Sequence, residues 1–306
     1  MNIDPKNTAF GRHETFPLRY AWLTKGYRAV VEHPRIFAEP DRAMVKLGVG
    51  RNMVSAILYW MQAARLIRYA EGEATPTDLG DAILGEQGDC FLEDEATLWV
   101  LHWLIASNAR LATGFYWFFN QFALPRFRED ELRAGLSDFV SRELRIERSA
   151  STLKSDTSTL LRRYAPGDAT EPGRGEDHLD TPMGQLRLVE QTGQGREFRS
   201  TRAARPFLPP LALHLALAEC FADAGDSQPA IPVRDLLYGR DTGPAPGAVF
   251  RLSEDGLMTA LNRVMRIWPG RYDLRDTAGV HQLYCVRDAG SPEIILRDYY
   301  RQEAAA

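Results

Sequence analysis

A chain of 306 residues, 44% apolar and 25% charged, can bury a substantial core and divide it among two or three domains. Its net charge of −4 gives no bulk case for nucleic acid, and Cys90, Cys220 and Cys285, odd in number and without CxxC spacing, argue against a disulfide framework or a structural zinc site. MNIDPKNTAF lacks the apolar core of a signal peptide, and the most apolar run, ATLWVLHWLIA, is about half the length a bilayer requires, so a reducing, cytoplasmic setting with no membrane partner is expected.

Charge is unevenly spread. Residues 1–70 hold 11 Lys/Arg against 5 Asp/Glu, whereas residues 71–100 hold 9 acids and no base. A basic head on an acidic chain is the footprint to follow. In chain order, GRHETFPLRYAWLTKGY (11–27) comes first. Thr15 there reads as a helix N-cap, with Pro17 in the first turn and Phe16 packing. Tyr20, Leu23, Tyr27, Val30 and Val31 then recur at helical spacing up to Pro34. A short helix near 41–47, a Gly-Val-Gly turn at 48–50 and a helix near 51–65 follow. After them come two short strands about Glu71-Gly72 and a helix from Asp78. That is the order of a winged helix-turn-helix.

The order recurs more weakly. Helices are expected near 129–143 and 151–164, with a hairpin turning at Gly193–Gly195. Others are expected near 207–222 and 232–238, then one begun by Ser253, then alternating runs about Ala278-Gly279. The aromatic stretch 89–127 reads as a buried helical connector, with 99–122 alternatively an interface in a homodimer, and 165–177 as a surface loop. The fold expected is mainly α with small β-hairpins: tandem winged-helix-like modules at 1–88, 128–204 and 205–306, joined by that connector.

Three stretches could carry chemistry. Arg51, Asn52 and Ser55 open the second helix of the first module, where Arg and Asn can read guanine and adenine edges. Lys46, Arg65 and Arg68 could add phosphate contacts, although a scaffold with solvated charges would look the same. STLKSDTSTLLRRY opens with hydroxyls, carries Lys154 and Asp156, and ends in Arg162-Arg163. It suits either a phosphate at a helix start or ordinary capping by Ser149 or Ser151. Arg12, His13, Glu14, Arg19 and Lys25 come from the opening stretch. His13 and Glu14 could form a general base or metal ligand, although adjacent side chains on a regular element diverge. No GxxxxGK[ST], GxGxxG, HExxH or GxSxG occurs.

GRHETFPLRYAWLTKGY, with STLKSDTSTLLRRYAP and the late FRLSE and RYDLRDTAGVHQL, resembles a bacterial uncharacterised-domain family. These are the SspB-like DNA-nicking proteins encoded beside the sulfur-transfer enzymes of single-stranded DNA phosphorothioation. The likeness runs over about residues 8–300, and HETF.LR..WL is its most specific part. It implies a Mg²⁺- or Mn²⁺-dependent endonuclease without an organic cofactor, acting on double-stranded DNA in anti-phage defence. Its implied partners are a cysteine desulfurase, an ATPase and an ATP-pyrophosphatase-type sulfur transferase. Matching positions include His13, Glu14, Arg19, Lys154 and Asp156, which makes His13, Glu14, Lys154 and Asp156 the catalytic candidates and Glu14 and Asp156 the metal candidates. A non-catalytic specificity subunit and a winged-helix transcriptional regulator remain the competing readings.

Overall fold

The computed structural model describes residues 3–165, 180–192, 196–225, 230–239, 243–277 and 279–303. Helix α1 (Tyr20–Glu32) turns Trp22, Leu23, Tyr27 and Val30 inward and stops before Pro34. Pro40 opens α2 (Pro40–Leu47), and Gly48, at φ +68°, closes it in the left-handed region that glycine enters without a Cβ penalty. Helix α3 (Arg51–Ala63) leads into the antiparallel strands β1 (Ile67–Ala70) and β2 (Glu73–Pro76), paired from Ile67↔Pro76 to Ala70↔Glu73. Thr77 accepts from the Gly80 N–H at 2.9 Å and starts α4 (Asp78–Leu84).

Two helices then run through the centre. In α5 (Glu95–Ala106) every residue from Ala96 to Ala106 is buried, and α6 (Thr113–Asn120) is buried from Thr113 to Phe119. A helix apolar on all sides has no solvent face to offer, so the two helices of the 99–122 stretch are core, while Arg110 between them is exposed. Two buried polar side chains tie these helices to their surroundings. His102 pairs with the Tyr164 hydroxyl at 2.7 Å and the Val249 carbonyl at 2.9 Å. Buried Arg251 donates to the Phe118 and Phe119 carbonyls at 2.9 and 3.0 Å, closing the end of α6.

The remaining chain repeats one plan. After α6 come β3 (Arg126–Arg128), α7 (Glu129–Asp138), a π-helical turn at Phe139–Glu143, α8 (Ala150–Tyr164), β4 (Glu190–Thr192) and β5 (Glu197–Arg199). After α9 (Pro210–Ala224) come β6 (Ala230–Pro232), α10 (Val233–Tyr238), α11 (Pro246–Val249), α12 (Glu254–Ile267), β7 (Tyr272–Thr277) and β8 (Val280–Cys285). The two antiparallel sheets have orders β3-β5-β4 and β6-β8-β7. In each, the strand before the helices pairs with the last strand of the unit. The first unit keeps only a trace of this: the Ala74 N–H of β2 donates to the Pro34 carbonyl at 2.8 Å, where the others place a strand. A final helix, α13 (Pro292–Glu303), packs on α4 and α9. One continuous hydrophobic cluster runs from Phe10 to Tyr300 through all three units and the central helices.

Mostly helical structure with small antiparallel sheets matches the expectation, and Ser149 and Ser253 are caps. One cap is corrected. Thr15 sits at φ +67° well before α1, whose first residue is Tyr20 with Arg19 at the N-cap. The Phe16 carbonyl, which a longer helix would need internally, accepts from Trp60 Nε1 at 3.1 Å. The loop expected at 165–177 lies, apart from Ala165, outside the described residues, as do the turn residues 193–195 and Ala278.

Candidate functional site

Two stretches 143 residues apart in sequence lie on each other. Residues 11–15 run along α8. The Gly11 N–H donates to both oxygens of Asp156, at 3.2 and 3.1 Å. His13 Nε2 meets Asp156 Oδ1 at 2.9 Å, and further on Arg162 donates to the Thr15 carbonyl. The Thr15 N–H donates to His13 Nδ1 at 3.2 Å. With Nδ1 accepting, the ring proton belongs on Nε2 and faces the Asp156 carboxylate. His13 is wholly buried, stacked 6.1 Å from Trp60 and edge-on to Tyr59 at 6.0 Å. Asp156 is 5% exposed. Both ring nitrogens of His13 and the carboxylate are therefore spent on holding this loop.

Holding it turns its neighbours outward. Gly11, Glu14 and Thr15 all have positive φ (+69°, +51° and +67°), two of them without glycine's freedom. Arg12 and Glu14 consequently face a cleft of about 480 Å³. Its walls come from the N-terminal segment (Lys6, Asn7, Thr8, Ala9), from α3 (Ser55, Leu58, Tyr59, Gln62) and from Arg110-Leu111 after α5. Among the described residues none of Lys6, Arg12 and Arg110 is drawn into an ion pair. Arg148, 5.7 Å over the Phe10 ring and 3.5 Å from the Thr8 hydroxyl, extends the cationic edge toward α8.

The other candidates scatter around this cleft. Ser55 is in its wall, and Arg51 and Asn52 stand exposed at the start of the same helix, Arg51 2.9 Å from Asp41. Lys46 pairs with Glu32 on the surface, and Lys25 and Lys154 are exposed on α1 and α8. Arg19 lies 3.6 Å from Asp180. Arg65 bridges 3.0 Å to Glu219 of α9, a contact within the fold. Arg163 is fully buried and does not reach the surface. Its guanidinium lies 4.3 Å over Trp60, 5.5 Å from Phe115 and 5.8 Å from Tyr164, with none of its nitrogens hydrogen-bonded. Lys6, Tyr59 and Arg110 were not foreseen. Arg110 stands alone between Ala109 and Leu111, and only folding brings it to the cleft.

A divalent cation asks for clustered oxygen donors, and Mg²⁺ is held through one or two carboxylates together with waters. Among the described residues no three His, Cys, Asp or Glu side chains gather closely enough to hold an ion. Glu14 is the one carboxylate in the cleft wall, and it stands among three cations, while Asp156 already serves Gly11 and His13. Such a lining suits an anion such as a phosphate and does not make a resident cation site.

A family profile matches residues 10–300, nearly the whole chain, and the chain belongs to that family, described as proteins of unknown function (DUF4007). Two solved structures are similar along their length, each 28% identical. One is a crystal structure of SspB, with a TM-score of 0.79 over 96% of this chain and 87% of that one. The other is a magnesium ion-bound crystal structure of SspB, with a TM-score of 0.82 over 98% and 89%. The resemblance to SspB-like proteins seen in the opening motif therefore holds across the fold. No functionally curated protein matches the chain. No helix among the described residues is long and apolar enough to cross a membrane.

Proposed function

We propose that this protein is a DNA-backbone-binding component of a bacterial DNA phosphorothioation system, and that it nicks the strand it holds. The observation that carries the reading is the cleft. It gathers Lys6, Arg12 and Arg110, none of them ion-paired among the described residues, with the polar Asn7, Thr8, Ser55 and Gln62. Unpaired cations beside small hydrogen-bonding groups are what phosphate oxygens require. Arg51 and Asn52 on the adjoining exposed turn of α3 would supply base contacts if the first unit docks as a winged helix. The surface ion pair of Arg51 with Asp41, worth under about 1 kcal/mol, is no obstacle to that. The system is inferred from the likeness to SspB. Nicking, its use of Mg²⁺, and work beside a cysteine desulfurase, an ATPase and a sulfur transferase belong to the same inference.

Binding of a labelled duplex followed across salt concentration tests the reading. Each lost phosphate contact lowers the slope of log K against log salt by about 0.9. Arg12→Ala/Arg110→Ala is expected to flatten it by about 2, with affinity falling for every sequence alike. An unchanged slope removes the cleft from the interface. Scission is read separately, as open-circular product from supercoiled plasmid with Mg²⁺ or Mn²⁺ against a chelated control. A specificity subunit binds with the same slope and gives none.

A further inference from the structure

The wall of the cleft contains a hydroxyl that the fold does not use. Tyr59 is 8% exposed, lines the cleft, and makes no hydrogen bond through its hydroxyl to any described residue. Nor is that hydroxyl among the polar atoms sealed from solvent without a partner. The buried guanidinium of Arg163 lies 4.3 Å over the ring of the neighbouring Trp60, and among the described residues no carboxylate neutralises it. A desolvated, unmatched cation is costly and calls for an explanation. Two tyrosines feel it, Tyr59 and Tyr164. Tyr164 spends its hydroxyl on His102 at 2.7 Å, and Arg163 favours the phenolate of both, Tyr164 first; at Tyr59 its pull is outweighed by burial and by the Asp156 charge.

From this arrangement we infer that Tyr59 is the nucleophile of the site and that strand scission proceeds by transfer of a DNA phosphoryl group to its phenolic oxygen. The inference rests on the binding of DNA in the cleft. Tyr59 Oη attacks the phosphorus of one phosphodiester, a new P–O bond forms, and the P–O bond to one flanking sugar breaks. The phenolic proton leaves through the Glu14 carboxylate, the basic group of the same cleft wall, and ends on the departing sugar oxygen. One diester replaces another, so the exchange consumes no co-reactant. Lys6, Arg12 and Arg110 line the same cleft and would meet the charge that gathers on the phosphoryl oxygens. Burial keeps the Tyr59 phenol protonated at rest, with the nearby Asp156 charge acting in the same direction, so proton removal has to accompany the attack.

The experiment incubates the full-length protein with internally ³²P-labelled supercoiled plasmid and Mg²⁺, stops the reaction with detergent, digests the DNA with nuclease, and looks for label on the protein band. Wild type is expected to carry label that resists boiling in detergent. Tyr59→Phe is expected to carry none and give no open-circular DNA, while binding the duplex with wild-type affinity and salt slope. The phenylalanine removes only an oxygen with no partner among the described residues, so folding is preserved. Nicked DNA without labelled protein, binding without any scission, or a Tyr59→Phe protein that nicks normally each overturns the assignment and leaves DNA binding standing. Failure of the wild type to bind DNA overturns the proposed function and this inference together.

Discussion

His13 shows how little a residue type says before its neighbours are known. An Arg-His-Glu triplet invites a base or a metal site, yet the fold sends His13 inward to Asp156 and Thr15 and leaves Arg12 and Glu14 outside. The division was half legible, because adjacent side chains diverge. Its direction was not, because it depends on an aspartate 143 residues away. Asp156→Ala strands the Gly11 N–H and His13 Nε2–H in a buried site and is expected to cost about 3 kcal/mol, read from urea unfolding. A loss below about 1 kcal/mol would refute the role of the carboxylate as the anchor of the loop. Two other buried histidines make stability pH-dependent. Burial pulls His102 down to about 3 and His214 to about 4, from an ordinary 6.5. Both stay neutral in the folded chain while the unfolded chain takes up protons below 6.5. Their contribution is complete above that value and is lost as the pH falls toward 4 and then 3, at about 1.4 kcal/mol per pH unit each. Urea midpoints at pH 7, 6 and 5 measure the slope, and His102→Gln is expected to remove about half of it.

At the level of elements, the sequence announces what is periodic and hides what is borrowed. Helices α1, α3, α5 and α8 carry an apolar period or an unbroken apolar run, and the Glu71-Gly72 turn fixes the first hairpin. Strands β3 and β6 are three residues each, Arg-Phe-Arg and Ala-Ile-Pro. Three residues are too short a run for alternation to announce a strand, and each exists because a distant strand, β5 or β8, supplies its partner. The seat of the opening loop on α8 is borrowed in the same way. It depends on Gly11, at φ +69°, where an added Cβ would stand 3.0 Å from the Thr152 methyl. Gly11→Ala is therefore expected to cost about 1–2 kcal/mol from the left-handed backbone alone. It should also flatten the salt slope for DNA as Arg12 leaves the cleft. Pairing it with Thr152→Ser relieves the contact but not the φ, so the double variant should recover only part of the loss. Full recovery would mean that the methyl contact, not the backbone, sets the cost.

Across the whole molecule, one order of helices followed by a hairpin recurs in three surroundings, and the surroundings differ. In the first unit the second helix, α3, keeps Arg51, Asn52 and Ser55 on an exposed opening turn. In the second, α8 occupies the same place in the order, but its flank is covered by residues 11–15. In the third, α12 opens with Glu254 and Asp255, whose charge repels phosphate. The opening turn of α8 is exposed and free of acids too, but it is the first unit that sets such a helix in the basic head, against the cleft. The price is dependence of every unit on the others. Buried α5 reaches α13 through Thr97 and Tyr300 at 2.7 Å, α9 through Trp103 and Glu219 at 2.7 Å, and α11 through His102 and Val249 at 2.9 Å. Removing residues 205–306 would expose the apolar surface of α5 together with three unpaired buried polar groups, a loss larger than the roughly 5–15 kcal/mol that holds a domain folded. The intact chain is expected to melt in one calorimetric transition, and the 1–204 fragment to lack any cooperative transition by circular dichroism. A fragment that melts cooperatively and still binds the duplex would show that the first two units form a self-sufficient DNA-binding domain and that the shared core is an accretion on it.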